Sequence, residues 1–283
     1  MPLEVLKLAA FSDGDDGGNP AGVVVAPELP SVAEMQRIAA EVGFSETAFA
    51  APMPGATAGY RVRFFAPAAE VPFCGHATIA LGAVLAREQG DGIFRLQLND
   101  AAITVEGRRE GRLFAAALQS PPTHSRPAPA ELAQEFLDLF GYKAGELDPR
   151  IPPAIAHAGA NHFVIGLATR KALARMTYNL EAGRLLMNLA GIVTVVLAWA
   201  ESPTLFHTRN PFASGGVYED PATGAATAAL AGYLRDLHWP GLERGGRLEI
   251  VQGEDMGMRS RLTAEVSAVP GSSIRVSGTV REL

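Results

Sequence analysis

Two segments of this chain read as helices without a polar face. His76–Gln89 (HATIALGAVLAREQ) and Ala225–Leu237 (AATAALAGYLRDL) are apolar or small on every side for their first two turns. A helix of that kind has to be buried all round. Its alanines and glycines let surrounding backbone approach closely. Few soluble folds offer such a place, and a sheet wrapped around the helix is one that does.

The two helices are also copies of each other. GHATIALGAVL (75–85) and GAATAALAGYL (224–234) match at Gly, Ala, Thr, Ala, Leu and Leu without a gap, and the same offset pairs Glu70 with Glu219. RLQL (95–98) and RLEI (247–250) follow at similar distances. A repeat unit of more than a hundred residues implies two similar domains rather than a solenoid. The length of 283 residues agrees, at about 150 residues per domain.

The rest of the chain supplies the sheets. Thirty glycines and twenty prolines imply many turns and short strands. Strand-like segments are LEVLKLAAF, AGVVVAP, TAFAAP, YRVRFFAP, FRLQLN, AITVEG and LFAAALQ, then HFVIGL, IVTVVLAWA, RLEIVQG, RLTAEVSA and SIRVSGTV. Ser31-Val32-Ala33-Glu34 is a capping-box pattern opening a helix with Met35, Ile38, Ala39 and Val42 on one face and Gly43 as its stop. A second amphipathic helix is expected over Ala130–Phe140, ending at Gly141. The stretch PPTHSRPAPA (121–130) reads as a linker between domains at 1–120 and 130–271.

Composition excludes several functions. A net charge of −6 argues against nucleic acid or another polyphosphate as partner. Cys74 is the only cysteine, so no internal disulfide and no multi-thiolate zinc site can form. The N-terminal stretch turns acidic too early for a secretory signal, and the longest apolar run, Leu189–Ala200, is short of the ~20 residues that span a bilayer. A cytoplasmic protein with no membrane partner is expected. The histidines at 124, 157, 162, 207 and 238 show no metal-ligand spacing, and no phosphate loop, G-x-G-x-x-G, H-E-x-x-H or G-x-S-x-G motif occurs. No metal and no cofactor are expected, which leaves proton transfer by side chains.

Candidate residues gather near the starts of the two buried helices. Gly75 and Gly224 each open a helix whose first N–H groups lack intrahelical partners, and the dipole favours an anion there. His76 follows directly, and Asp220 stands four residues ahead of Gly224. Glu46, among Phe44, Ala48 and Phe49, would be partly desolvated, which raises a carboxyl toward the range useful for acid–base work. Read locally, each also has a plain structural role: turn glycines, a core histidine, a helix-capping aspartate, a strand-end glutamate.

Taken together, GNPAGVVV (18–25), GFSETAF (43–49), RFFAPAAEVPFCGHATIALGAVL (63–85), GVYEDPATGAATAALAGYL (216–234) and QGEDMGMRS (252–260) resemble the PhzF-like, phenazine-biosynthesis family of the diaminopimelate-epimerase-like fold. The resemblance implies an α+β fold of two similar domains, each a mixed sheet rolled around a central helix, with the active site in the cleft between them. It also implies that the last strand, about 272–283, returns to the first domain, and that the chain forms a homodimer. The implied activity is a cofactor-independent isomerase moving a proton within a small carboxylated metabolite, in the archetype trans-2,3-dihydro-3-hydroxyanthranilate. By motif position the proton carrier is Glu46, with His76 and Asp220 as the other catalytic groups and Asn19, Gly75, Gly224 and Ala225 as substrate-binding positions.

One position departs from the pattern: Ala225 stands where archetypal members carry serine, which keeps the backbone N–H and loses a hydroxyl. Two-cysteine racemisation, the chemistry of the epimerase relatives, is excluded by the single Cys74, which is expected to pack as a small hydrophobe. Two other readings are a carboxylate-based epimerase, with Glu46 and Asp220 serving two faces, and a non-catalytic binder that keeps only the anion-binding helix starts.

Overall fold

The computed structural model describes residues 3–55 and 58–283, which fall into two units: Met1–Gln119 with Ser277–Leu283, and Ser120–Val276. The first holds strands β1 (Leu6–Ser12), β2 (Asn19–Val25), β3 (Thr47–Pro52), β4 (Gly59–Phe65), β5 (Glu70–Val71), β6 (Gly92–Gln97), β7 (Ala102–Glu110) and β8 (Leu113–Gln119). Helix α1 (Val32–Val42) connects β2 to β3, and α2 (Gly75–Gln89) connects β5 to β6. The β2–β3 and β4–β6 pairs are parallel, as their helical crossovers require. The C-terminal strand Arg275–Glu282 pairs antiparallel with β1 and also joins β8, so the sheet closes on itself.

Inside that ring lies α2, touching β1, β2, β3, β6, β7 and β8, with every residue from His76 to Ala86 buried. The approach is close because glycine faces glycine: a Cβ at Gly107 on β7 would stand 2.2 Å from the Gly82 carbonyl oxygen of α2. Helix α1 lies outside. Its Met35, Ile38 and Ala39 pack on Val24, Phe49 and Phe65 of β2, β3 and β4. Ser31 caps it by accepting the Glu34 N–H at 3.2 Å, while the Glu34 carboxylate pairs with Arg37. Gly43 ends it in the left-handed region at φ 72°, which a β-carbon would strain.

The second unit holds β9 (His124–Pro127), β10 (Ala154–His157), β11 (Asn161–Gly166), β12 (Thr194–Ala200), β13 (Leu205–Phe212), β14 (Val217–Asp220), β15 (Gly246–Gln252) and β16 (Ser260–Val266). Its helices are α3 (Ala130–Phe140), α4 (Arg170–Ala174), α5 (Leu180–Ala190) and α6 (Gly224–Asp236). From β10 the order β10–β11–β12–β13–β15–β16 pairs antiparallel, parallel, antiparallel, parallel, antiparallel. The order β1–β2–β3–β4–β6–β7 of the first unit runs through the same series. The sequence repeat is thus a repeat of topology.

Helix α6 is the second buried helix, touching β9, β10, β11, β12 and β16. The opposite face of β11 and β12 carries Phe163, Ile165, Val195 and Leu197 against α3 and α5, with Phe136 stacked on Phe163 at 4.1 Å. Both faces of these strands are covered, which is why they read as unbroken apolar runs. The stretch read as a linker contains β9, which pairs with β10. Proline is tolerated at that sheet edge, and the pairing uses backbone groups that hydropathy does not register. Among the described residues no helix is long and apolar enough to cross a membrane.

Candidate active site

Glu46 is set by the chain on both sides of it. The left-handed stop at Gly43 ends α1, Thr47 begins β3, and the Glu46 carbonyl accepts the Gly22 N–H at 3.1 Å. His76 is set by α2, whose first turn fixes it two residues beyond Cys74, the cap residue. The Cys74 carbonyl accepts both the Thr78 N–H (3.0 Å) and the Thr78 hydroxyl (2.7 Å). These two anchors bring the Glu46 Oε2 and His76 Nε2 atoms to 3.4 Å, although thirty positions separate the residues. The histidine is buried and the glutamate partly so. A carboxylate with an imidazole at its side and solvent on the other is an arrangement that can take a proton and give it back.

Two further groups complete the surroundings of the imidazole. Ser45 Oγ lies 3.3 Å from His76 Nε2, and Cys74 Sγ lies 3.4 Å from Nδ1 and 3.8 Å from Nε2. Cys74 is buried, as expected of a small hydrophobe, and its sulfur also faces the ring. Its side chain makes no capping hydrogen bond to α2. The C-G-H spacing was the available signal, since i and i+2 at a helix entry can turn toward each other. Asn19, in the same unit, is the buried first residue of β2, opposite Ala10. Gly75 opens α2 and is partly exposed.

Asp220, Gly224 and Ala225 belong to the second unit. Asp220 ends β14, and its Oδ2 accepts the Thr223 hydroxyl. Gln252 of β15 braces this corner: its Nε2 donates to the Asp220 carbonyl at 2.7 Å and to Thr223 Oγ1 at 3.0 Å, while its Oε1 accepts the Thr223 N–H at 3.2 Å. Gly224 and Ala225 are the first residues of α6 and are both partly exposed. Gln252 stood in a recognised motif without a role, and tertiary pairing supplies one.

Behind each helix start lies an arginine–glutamate pair. In the first unit Arg63 donates to Glu70 from Nε (2.7 Å) and from a terminal nitrogen (2.5 Å). In the second Arg209 donates to Glu219 in the same two-pronged way, at 2.9 and 2.5 Å. The shared Glu70 and Glu219 were visible in the sequence; their partners were not. Each pair ties the short strand before the buried helix to its longer neighbour, which aims the helix start. The Arg63 guanidinium holds the Glu70 carboxyl below its ordinary range.

The chain matches, over residues 8–281, the model of the family described as phenazine biosynthesis-like proteins (PhzC-PhzF). It is 30% identical over 280 residues to the trans-2,3-dihydro-3-hydroxyanthranilate isomerase of Pseudomonas aeruginosa, covering 96% of this chain and 94% of that one. An uncharacterised isomerase of Mesorhizobium japonicum is 31% identical, covering 92% of this chain and 90% of its own. Among solved structures, the PhzF-family phenazine biosynthesis protein of Bacillus anthracis superposes with a TM-score of 0.87 at 22% identity, covering 100% and 98%. The family and these named relatives make the chain an isomerase. The chain belongs to the phenazine biosynthesis-like, PhzF family.

Proposed function

We propose that the protein shifts a proton within a small carboxylated metabolite by general acid–base catalysis, with Glu46 as the carrier. The observation that carries this reading is the Glu46–His76 contact of 3.4 Å at the start of α2. The Glu46 carboxylate removes a proton from an sp3 carbon beside a conjugated system and becomes a carboxylic acid. The electron pair left behind spreads through the conjugated system toward the substrate carboxylate. Glu46 then returns the same proton to another carbon, so no atom is gained or lost. His76 steadies the glutamate on one side, and the N–H groups at the start of α2 favour the anionic end of the substrate. Asp220 is given a part in the same reaction on its motif position, and Gly224 and Ala225 open α6, whose first N–H groups lack intrahelical partners.

The Pseudomonas relative's name supplies the probe compound, trans-2,3-dihydro-3-hydroxyanthranilate. Alanine at 225 favours a substrate, of the same hydroxylated dihydroaromatic class or smaller, that needs no hydroxyl at that point. General acid–base catalysis contributes roughly 10²–10⁴ in rate, so Glu46→Gln is expected to lose at least a hundredfold in turnover while keeping its fold by circular dichroism. The assay follows isomer formation by chromatography and mass spectrometry, and in D2O the share of product without label reports return of the same proton. Turnover near wild type in Glu46→Gln overturns the assignment of the carrier.

A further inference from the structure

Proton transfer by Glu46 and His76 makes no use of a thiol, yet the structure sets one beside them. A carboxylate oxygen of Glu46, the Cys74 sulfur and a ring nitrogen of His76 all lie within 4.8 Å of one another. We propose that these three residues bind a zinc ion, and that bound zinc stops the reaction by occupying the Glu46 carboxylate. The binding half stands on geometry alone. The inhibitory half rests on Glu46 being the proton carrier.

The three ligand atoms are close enough for one tetrahedral ion to gather them once side chains turn. Zn–S bonds of about 2.3 Å and Zn–N or Zn–O bonds of about 2.0–2.1 Å at tetrahedral angles place sulfur and nitrogen about 3.5 Å apart, and nitrogen and oxygen about 3.3 Å. The corresponding separations here, through His76 Nε2, are 3.8 and 3.4 Å. The sulfur lies nearer Nδ1, at 3.4 Å, so binding through Nε2 needs a turn of the Cys74 or His76 side chain that carries the sulfur out along the Nε2 lone pair. Thiolate, imidazole and carboxylate form a set that suits zinc and disfavours magnesium and calcium, which take oxygen ligands. Binding expels the Cys74 proton to solvent, and the resulting thiolate and carboxylate together balance the dication. Three protein ligands leave a fourth position open to water.

The backbones that carry these ligands are already fixed, by Thr78 on the Cys74 carbonyl and by Gly22 on the Glu46 carbonyl. The fold itself does not demand such residues. In the second copy of the repeat the helix start carries Thr223 and Ala225 where the first carries Cys74 and His76, and Val193 precedes β12 where Glu46 precedes β3. A thiol, an imidazole and a carboxylate have therefore been gathered at one of two equivalent corners.

Cobalt(II) makes the test direct. Chelator-treated protein in a non-thiol reductant is titrated with Co2+, then with Zn2+. One equivalent of Co2+ is expected to give the strong visible bands of a tetrahedral ion with a thiolate-to-cobalt charge-transfer band, both bleached by Zn2+. Cys74→Ala is expected to lose the charge-transfer band and at least tenfold in affinity. Glu46→Gln is expected to keep the band and lose at least tenfold. A wild-type spectrum without the charge-transfer band overturns the site whatever the variants do, as does affinity unchanged by both substitutions in folded protein. Stoichiometric zinc that leaves turnover intact overturns the inhibitory half. Undiminished turnover of Glu46→Gln in chelator brings down the proton-carrier reading and leaves the metal site standing.

Discussion

The duplicated arginine–glutamate pairs allow one interaction to be weighed in two environments. In the second unit the Arg209 and Glu219 side chains are 8% and 3% exposed; in the first, Arg63 and Glu70 are 20% and 25% exposed. Glu219→Gln keeps the volume but leaves a guanidinium buried without its counter-charge, a change that costs about 3–5 kcal/mol. Glu70→Gln acts where water can resolvate the arginine, and the cost falls toward about 1 kcal/mol. For a unit of the second one's size, 1 kcal/mol moves Tm by roughly 2–4 °C, so Glu219→Gln is expected to lower its Tm by roughly 6–20 °C and Glu70→Gln by only a few degrees. Both tryptophans, Trp199 and Trp239, lie in the second unit, so their fluorescence reports its melting, while far-UV circular dichroism follows the whole chain. Arg209→Met is expected to cost more than Glu219→Gln, because Arg209 also donates to the carbonyls of Ala174 (2.9 Å) and Met176 (3.4 Å). If Glu219→Gln proves no more costly than Glu70→Gln, burial is not what sets the worth of these pairs.

Acid sensitivity is expected to come in part from His162, which burial pushes down to about 3. The unfolded value is near 6.5, so between the two only the unfolded chain takes up the proton; stability is intact above pH 6.5 and falls as pH drops toward 3, by about 2 kcal/mol at pH 5. Urea unfolding of wild type and His162→Asn at pH 8 and pH 5 checks this, and equal pH dependence in the two refutes it. Gly107→Ala drives a β-carbon to 2.2 Å from a carbonyl oxygen that belongs to helix backbone. It is expected to cost about 3 kcal/mol or more, read as a fall in Tm, and a neutral effect would mean that α2 can shift in its ring.

How much could be read in advance depended on whether the cause was local. The two buried helices were legible because the absence of a polar face is itself a composition signal, and their repeat pointed to two units. Strand β13 was not legible. Its residues His207, Thr208, Arg209 and Asn210 are all buried, and buried polar residues read as loop unless their distant partners are known. Helix α5 is hidden differently: it has a cap at Asn179 and a stop at Gly191, but only Gly183 and Met187 along it are buried, so its apolar face is weakly marked. At the site, the contact between Glu46 and His76 was available only through motif resemblance, because no periodicity links positions 46 and 76. Cys74 and Gln252 were in view as letters of those motifs. Their roles follow from which atoms they face.

The repeat makes one further point about where chemistry settles. Two corners of equal construction each offer a buried helix start, a short preceding strand and an arginine–glutamate brace. These shared parts position backbone N–H groups, and backbone can bind an anion without any particular side chain. The parts that differ are the ones that can exchange a proton or a metal: Glu46, Cys74 and His76 on one side, Asp220 with its Thr223 hydroxyl on the other. Conserving the scaffold in both copies while differentiating the titratable groups gives one carboxylate a partner imidazole and the other a hydroxyl. Exchanging the caps tests that division. Thr223→Cys with Ala225→His, made together with Asp220→Asn to remove the carboxylate beside position 223, is expected to build the sulfur–imidazole contact at the α6 start without creating a metal site, since Val193 supplies no third ligand. Tetrahedral cobalt spectra that double in intensity, with two equivalents bound, would show that the third ligand is dispensable and that the Glu46 corner is not special in the way argued.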